Sequence, residues 1–153
     1  MDHLAILDKK RKLLAKILSR EKTIESRWYK FKKTPYRNIS VGDTIYFKDS
    51  GEMVTTRAAV SSVLFFDALD EQKIRSILEQ YGAQIGIPVS YTEKLKGKNF
   101  CTLIFLKKVE TIKPFSINKQ GYGTMAAWIT IDKIEKIRVE KTSPIESKQK
   151  LNK

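Results

Sequence analysis

Residues 100–112 form a run of β-forming side chains with a single Lys107-Lys108 step in it. A stretch so rich in Val, Ile, Leu, Phe and Thr is a central strand, and the rest of the chain has to supply its neighbours. Lys113-Pro114-Phe115 is read as its end, because proline has no N–H to give to a ladder. Val41-Gly42-Asp43 reads as a turn into a strand over residues 44–48. Asp49-Ser50-Gly51-Glu52 is then a hairpin turn, and residues 53–66 a long strand bent or bulged near Ala58-Ala59. Residues 125–131 are the last strand, with Trp128 in the core. Residues 133–141 alternate Ile134, Ile137 and Val139 with charges, and fit a strand or a short helix.

Helical spacing occurs in three places. Leu4, Leu7, Leu14 and Leu18 share one face, widened by Leu13 and Ile17, and predict a helix over 4–19. Lys9, Lys10, Arg11, Lys12 and Lys16 would crowd its other side. A second helix is predicted over 71–81, with Asp70 as N-cap, Leu69 stapled to Ile74, and Gly82 as the stop. A third, short one spans 90–96, and the loop between them is anchored by Ile85, Ile87 and Pro88. Irregularly spaced strands with helices between them define an α+β domain. One domain over 1–142 is expected, followed by a disordered basic tail over 143–153, where the composition turns polar and lysine-rich.

The chain carries a net charge of +13 over 153 residues. Residues 1–37 hold 12 Lys/Arg against 4 Asp/Glu, 38–132 hold 11 against 10, and 133–153 hold 7 against 3. Positive charge localised at the two ends suits a polyanion; a lysine-rich solubility surface is the alternative. Cys101 is the single cysteine, set in an apolar run, so no intramolecular disulfide forms and the thiol packs as a small hydrophobe. His3, at a start expected to be mobile, is the single histidine, which leaves no thiol–imidazole pair and no zinc set. No metal and no cofactor are expected. The chain shows no apolar run long enough for a membrane span and no signal-peptide core, so no membrane contact and a cytoplasmic location are expected.

Function rests on Lys22-Thr23-Ile24-Glu25-Ser26-Arg27-Trp28, a predicted strand over 23–28. Alternation puts Thr23, Glu25, Arg27 and Tyr29 on one face, with Glu25 and Arg27 roughly 6.6 Å apart at Cα. They can pair as a surface ion pair or reach one ligand together. Arg27 offers a fork of donors suited to phosphate or a base edge, and Glu25 offers acceptors only, suited to a base amino group. The next stretch, Tyr29-Lys30-Phe31-Lys32-Lys33-Thr34-Pro35-Tyr36-Arg37, interleaves rings with cations, as single-stranded nucleic acid requires. Its rings could equally cover the end of a barrel.

Lys22, Glu25 and Arg27 resemble the Gly-x-Lys-x-x-Glu-x-Arg motif of the ASCH domain family, a branch of the PUA-like superfamily. Arg20 stands at the glycine position. If Arg20 keeps the left-handed conformation that glycine supplies after a helix, it costs roughly 1–2 kcal/mol. Ile112-Lys113-Pro114, Gly121-Tyr122-Gly123 and Ala127-Trp128 are similar to the closing strands of archaeal-type members, and Val41-Gly42-Asp43 resembles the entry to a PUA-like barrel strand. The resemblance covers about residues 6–132. It implies a small PUA-like mixed β-barrel with flanking helices, and a cleft between the first helix and the barrel, floored by Lys22, Glu25 and Arg27.

RNA binding is the expectation that follows, with Lys22, Thr23, Glu25, Arg27, Tyr29, Lys30, Lys32, Lys33, Tyr36, Arg37, Lys119 and Tyr122 as candidate contacts. Tyr29, Phe31 or Tyr36 would stack bases, and the resemblance puts the Lys119–Tyr122 loop beside the cleft. A translation or RNA-modification partner would fit such a protein. The alternative is an amidohydrolase acting on acylated cytidine-type nucleosides, with Lys22 and Glu25 as the catalytic pair and Glu110 as a further carboxylate. In the family that chemistry uses a threonine three residues after the lysine, where this chain has Glu25.

Overall fold

The computed structural model describes residues 1–139. Seven strands form its sheet: β1 (Asp2–Leu7), β2 (Ile24–Tyr29), β3 (Thr44–Asp49), β4 (Val54–Phe66), β5 (Phe100–Ile117), β6 (Trp128–Ile131) and β7 (Arg138–Val139). Two α-helices accompany them, α1 (Leu13–Leu18) and α2 (Glu71–Ile85), with 3₁₀ turns at Lys9–Arg11, Val89–Leu95 and Ile134–Lys136. The strand order is β2-β5-β4-β3-β1-β6, and β7 adds to β5. The β1–β3 pair is parallel and the others antiparallel. The sheet curls: β2 and β1 are far apart along that order, yet Arg27 of β2 donates to the Ile6 carbonyl of β1. The product is a half-barrel of mixed strands with flanking helices, the α+β class expected.

The expected helix over 4–19 is overturned in its first half. Residues 2–7 are a strand, and only residues 13–18 are α-helical. β1 runs between β3 and β6 and is buried on both faces. Ala5 and Leu7 enter the interior with Leu13, Ile17, Phe47 and Trp128. Leu4 packs the opposite way, with Val54, Phe115, Ile129 and Ile131. His3 is correspondingly a fully buried strand residue rather than part of a mobile start.

β5 runs on through Pro114 to Ile117. Val54 pairs with Phe115 and Thr56 with Thr111, so the proline lies inside a bulge where no ladder N–H is needed. The bend expected in β4 falls at the register shift between Arg57 and Ala59. Helix α2 opens on Asp70, whose carboxylate accepts from Lys73 N at 2.8 Å, and continues past Gly82 to Ile85. Gly86, at φ 84°, is the left-handed stop instead. Gly82 has a different constraint: a Cβ there would stand 2.6 Å from the Ile87 carbonyl as the chain folds back over the helix. The apolar stripe of α2 packs on the outer side of β2 and β5, with Ile74, Ile77, Leu78 and Ile85 against Ile24, Cys101 and Leu103. The last path strand is limited to Trp128–Ile131, and residues 125–127 precede it as loop. The expected tail lies outside the described residues.

Candidate functional site

β2 is an edge strand, and its two faces meet different surroundings. Ile24 points to α2, while Glu25, Arg27 and Tyr29 point into the curl of the sheet. Because the half-barrel does not close, a cavity of about 410 Å³ opens in the seam between β2 and the end of β1. Lys22, Glu25, Arg27 and Tyr29 line its floor, Asp8 and Arg11 one wall, and Tyr91, Lys94 and Lys98 the other.

Lys22 is 4% exposed. Its Nζ donates to the Ile85 carbonyl at 2.7 Å, and the neighbouring Thr23 amide donates to Gln84 O at 3.0 Å. The last carbonyls of a helix have no intrahelical donor, and the final turn of α2 has no basic residue of its own. Lys22 supplies the missing cation from outside. Burial lowers its pKa from the usual lysine value; the Glu25 carboxylate opposes this, and the Arg27 guanidinium assists it.

Glu25 is 4% exposed. Its Oε1 stands 3.4 Å from Arg27 Nε, and the two side chains are 5% and 12% exposed, so a surface ion pair is excluded. Arg27 also donates to Ala127 O at 3.3 Å and Ile6 O at 3.5 Å, and its guanidinium lies 5.1 Å from the Trp128 ring centre. The guanidinium thus fastens β2 across the open seam. Glu25 Oε2, Arg27 Nε and Thr102 Oγ1 are buried without a hydrogen-bond partner. Thr102 sits on β5 directly opposite Arg27. An unpaired buried polar group costs about 1–3 kcal/mol, and Glu25 Oε2 belongs to a residue that lines the cavity.

The remaining expected contacts divide. Tyr29 lines the floor, with its hydroxyl pKa raised by burial, and Lys33 Nζ lies 4.7 Å from the centre of its ring. Lys30 and Lys32 are exposed on the loop beyond, where Phe31 is 73% exposed. Tyr36 is buried, edge-on to Phe65 and Phe100, so no base can stack on it. Arg37 covers the rings of Tyr36 and Phe65. Thr23 contributes backbone bonds only and does not line the cavity. Lys119 Nζ is spent within its own loop on Thr124 O and Ala126 O, at 2.8 and 2.9 Å. Tyr122 borders a separate depression with Asp132 and Arg138. The two do not join the cavity, and neither does Glu110, which is exposed and pairs with Arg57.

The sequence reading missed Arg11, Tyr91, Lys94 and Lys98. Arg11 was read as one of several cations on the basic face of a helix over 4–19, a face able to follow a phosphate backbone; it lies instead on the 3₁₀ turn ahead of α1. The other three sit on or just past a turn whose packing accounts for its apolar residues but not for its alternating lysines 94, 96 and 98. Among the described residues no group of three or more His, Cys, Asp or Glu side chains is placed to hold a metal ion. Among them, too, no helix is long and apolar enough to cross a membrane.

No family model and no curated protein matches the chain. Solved structures do. The ASCH protein of Zymomonas mobilis superposes with a TM-score of 0.62 at 12% identity, over 99% of this chain and 94% of that one. Two point mutants of the same protein give 0.64 at 16% identity, again over 99% of this chain and over 96% and 94% of theirs. The fold is therefore that of these ASCH structures, a curled half-barrel of mixed strands with flanking helices.

Proposed function

We propose that this is an ASCH-family protein of the archaeal type that binds RNA, receiving a base in the seam cavity. One observation carries the reading: Glu25, whose Oε2 is buried without a partner, lines a cavity in which the cations Arg11, Lys22, Arg27, Lys94 and Lys98 outnumber the one other carboxylate, Asp8. Glu25 Oε2 takes a donor, such as an exocyclic amino group. Lys22 has ammonium protons beyond the one given to Ile85, and they suit a base carbonyl. Arg27 holds Glu25 in place. The exposed Phe31, with Lys30, Lys32 and Lys33 around it, extends the contact beyond the mouth by stacking and charge.

The test is a titration of single-stranded RNA oligonucleotides, read by fluorescence anisotropy, against the protein and its Glu25→Gln variant. Binding is expected at low salt, to weaken steeply as salt rises, and to fall at least tenfold in the variant. A protein that binds no RNA even at low salt refutes the proposal.

One observation favours a second reading. Lys22 is buried, its pKa is lowered, and it stands beside Glu25, as an amine base acting on acylated nucleosides requires. Its bond to Ile85 O and the absence of Glu110 from the cavity count against that reading. Incubation with acylated cytidines separates the two.

A further inference from the structure

We infer that the cavity is built for a nucleotide within a single strand rather than for a free nucleoside, and that Arg11 on one wall with Lys94 and Lys98 on the other grip the phosphates flanking the inserted base. This rests on the RNA reading above and assigns residues outside it.

Among the described residues, none of these three head groups has a carboxylate partner, although carboxylates are at hand. Between Lys94 and Lys98, Lys96 is turned outward onto Glu93 at 3.0 Å and Glu71 at 3.6 Å. Its two neighbours are left lining the cavity. Lys94 Nζ rests 5.1 Å from the centre of the Tyr91 ring, which holds the ammonium at the wall. On the opposite wall the nearby carboxylate is Asp8, whose Oδ1 accepts from the Lys10 amide at 3.0 Å and caps the 3₁₀ turn that carries Arg11, without forming an ion pair with it. Lys22 and Arg27 lie deeper and are occupied by carbonyls and by Glu25.

A nucleoside is neutral, so it would meet the floor and leave both walls unused. A nucleotide inside a strand brings one phosphate on each side of its sugar, and one cationic wall faces each. The strand must be single, because the free oxygen of Glu25 lies at the floor and a base stacked in a duplex cannot reach it.

The experiment compares the full chain with an Arg11→Gln/Lys94→Gln/Lys98→Gln variant and a Lys107→Gln/Lys113→Gln control, whose lysines are exposed on β5 away from the cavity. Each is titrated with a single-stranded RNA across a salt series, and the wild type also with free nucleosides. Single strands lose about 0.7 in log–log salt slope per phosphate contact. With two phosphates released, the wall variant is therefore expected to show a slope smaller by about 1.4 and affinity at least tenfold weaker at low salt. The control should match the wild type, and nucleosides should bind at least a hundredfold more weakly than the strand. If RNA binds but the wall variant keeps the wild-type slope, or the control falls equally, or nucleosides bind as tightly as the strand, the wall assignment is overturned and the RNA reading stands. If wild type binds no RNA, the RNA reading itself fails.

Discussion

His3 is fully buried, and both of its ring nitrogens are engaged. Nε2 lies 2.8 Å from Asp43 Oδ2, and Nδ1 lies 3.3 Å from Trp128 Nε1 and 3.1 Å from Thr130 Oγ1. An indole nitrogen only donates, so Nδ1 is the bare nitrogen and the proton sits on Nε2, given to Asp43. Burial lowers the His3 pKa below its usual 6.5, although Asp43 opposes the shift. The unfolded chain then takes up a proton near pH 6.5 that the folded chain refuses. The His3 contribution to stability is complete above pH 6.5 and is lost as the pH falls below it, by at most about 1.4 kcal/mol per pH unit. Asp43, with its pKa lowered below 3.8, contributes fully across that window and drops out only in acid. Urea unfolding is expected to show a lower midpoint at pH 5.5 than at 7.5, and His3→Phe should flatten the difference. At the same scale, Glu25 and Arg27 were placed on one face by strand alternation alone. Their burial was not legible, because nothing local in β2 says that the sheet curls back over it. Tyr36 was misjudged for a related reason: a ring beside lysines reads as a stacking surface until Phe65 and Phe100 are known to enclose it.

Among the elements, the helix exit before β2 carries a measurable strain. Arg20 adopts φ 69°, the left-handed value that a glycine would take without cost. Relief of roughly 1–2 kcal/mol exceeds the roughly 0.4–1 kcal/mol that a glycine adds to the freedom of the unfolded chain. Arg20 also donates to Val109 O at 3.0 Å on an exposed surface. Arg20→Gly is expected to stabilise by up to about 1 kcal/mol in urea unfolding. Helix α2, the β3–β4 hairpin and the core of β5 were readable because cap, stripe and turn residues agree locally. β1 was not. A strand covered on both faces shows no alternation, and Leu4 and Leu7 fell by chance in step with the real helical residues Leu14 and Leu18. Only its partners β3 and β6, distant in sequence, identify it.

At the scale of the whole molecule, β1 joins β3 to β6, and its end forms a wall of the cavity. A chain lacking residues 1–8 loses the strand between β3 and β6 and opens the interior around Phe47 and Trp128 to water. It is expected to lose cooperative thermal unfolding, as followed by circular dichroism, whereas a surface helix at that position could be removed with modest effect. The seam itself was foreseeable only through the family resemblance, since composition and periodicity say nothing about whether a sheet closes.

The parallel β1–β3 pair also has a consequence for biosynthesis. β1 emerges from the ribosome ahead of β3 and can join it once β3 has followed it out, but its other flank stays bare until Trp128–Ile131 has been made. Between the synthesis of β1 and that of β6 the nascent chain thus presents an apolar edge able to recruit a foreign strand. Cells making this protein quickly are expected to depend on a chaperone that holds that edge until β6 has emerged to pair with it.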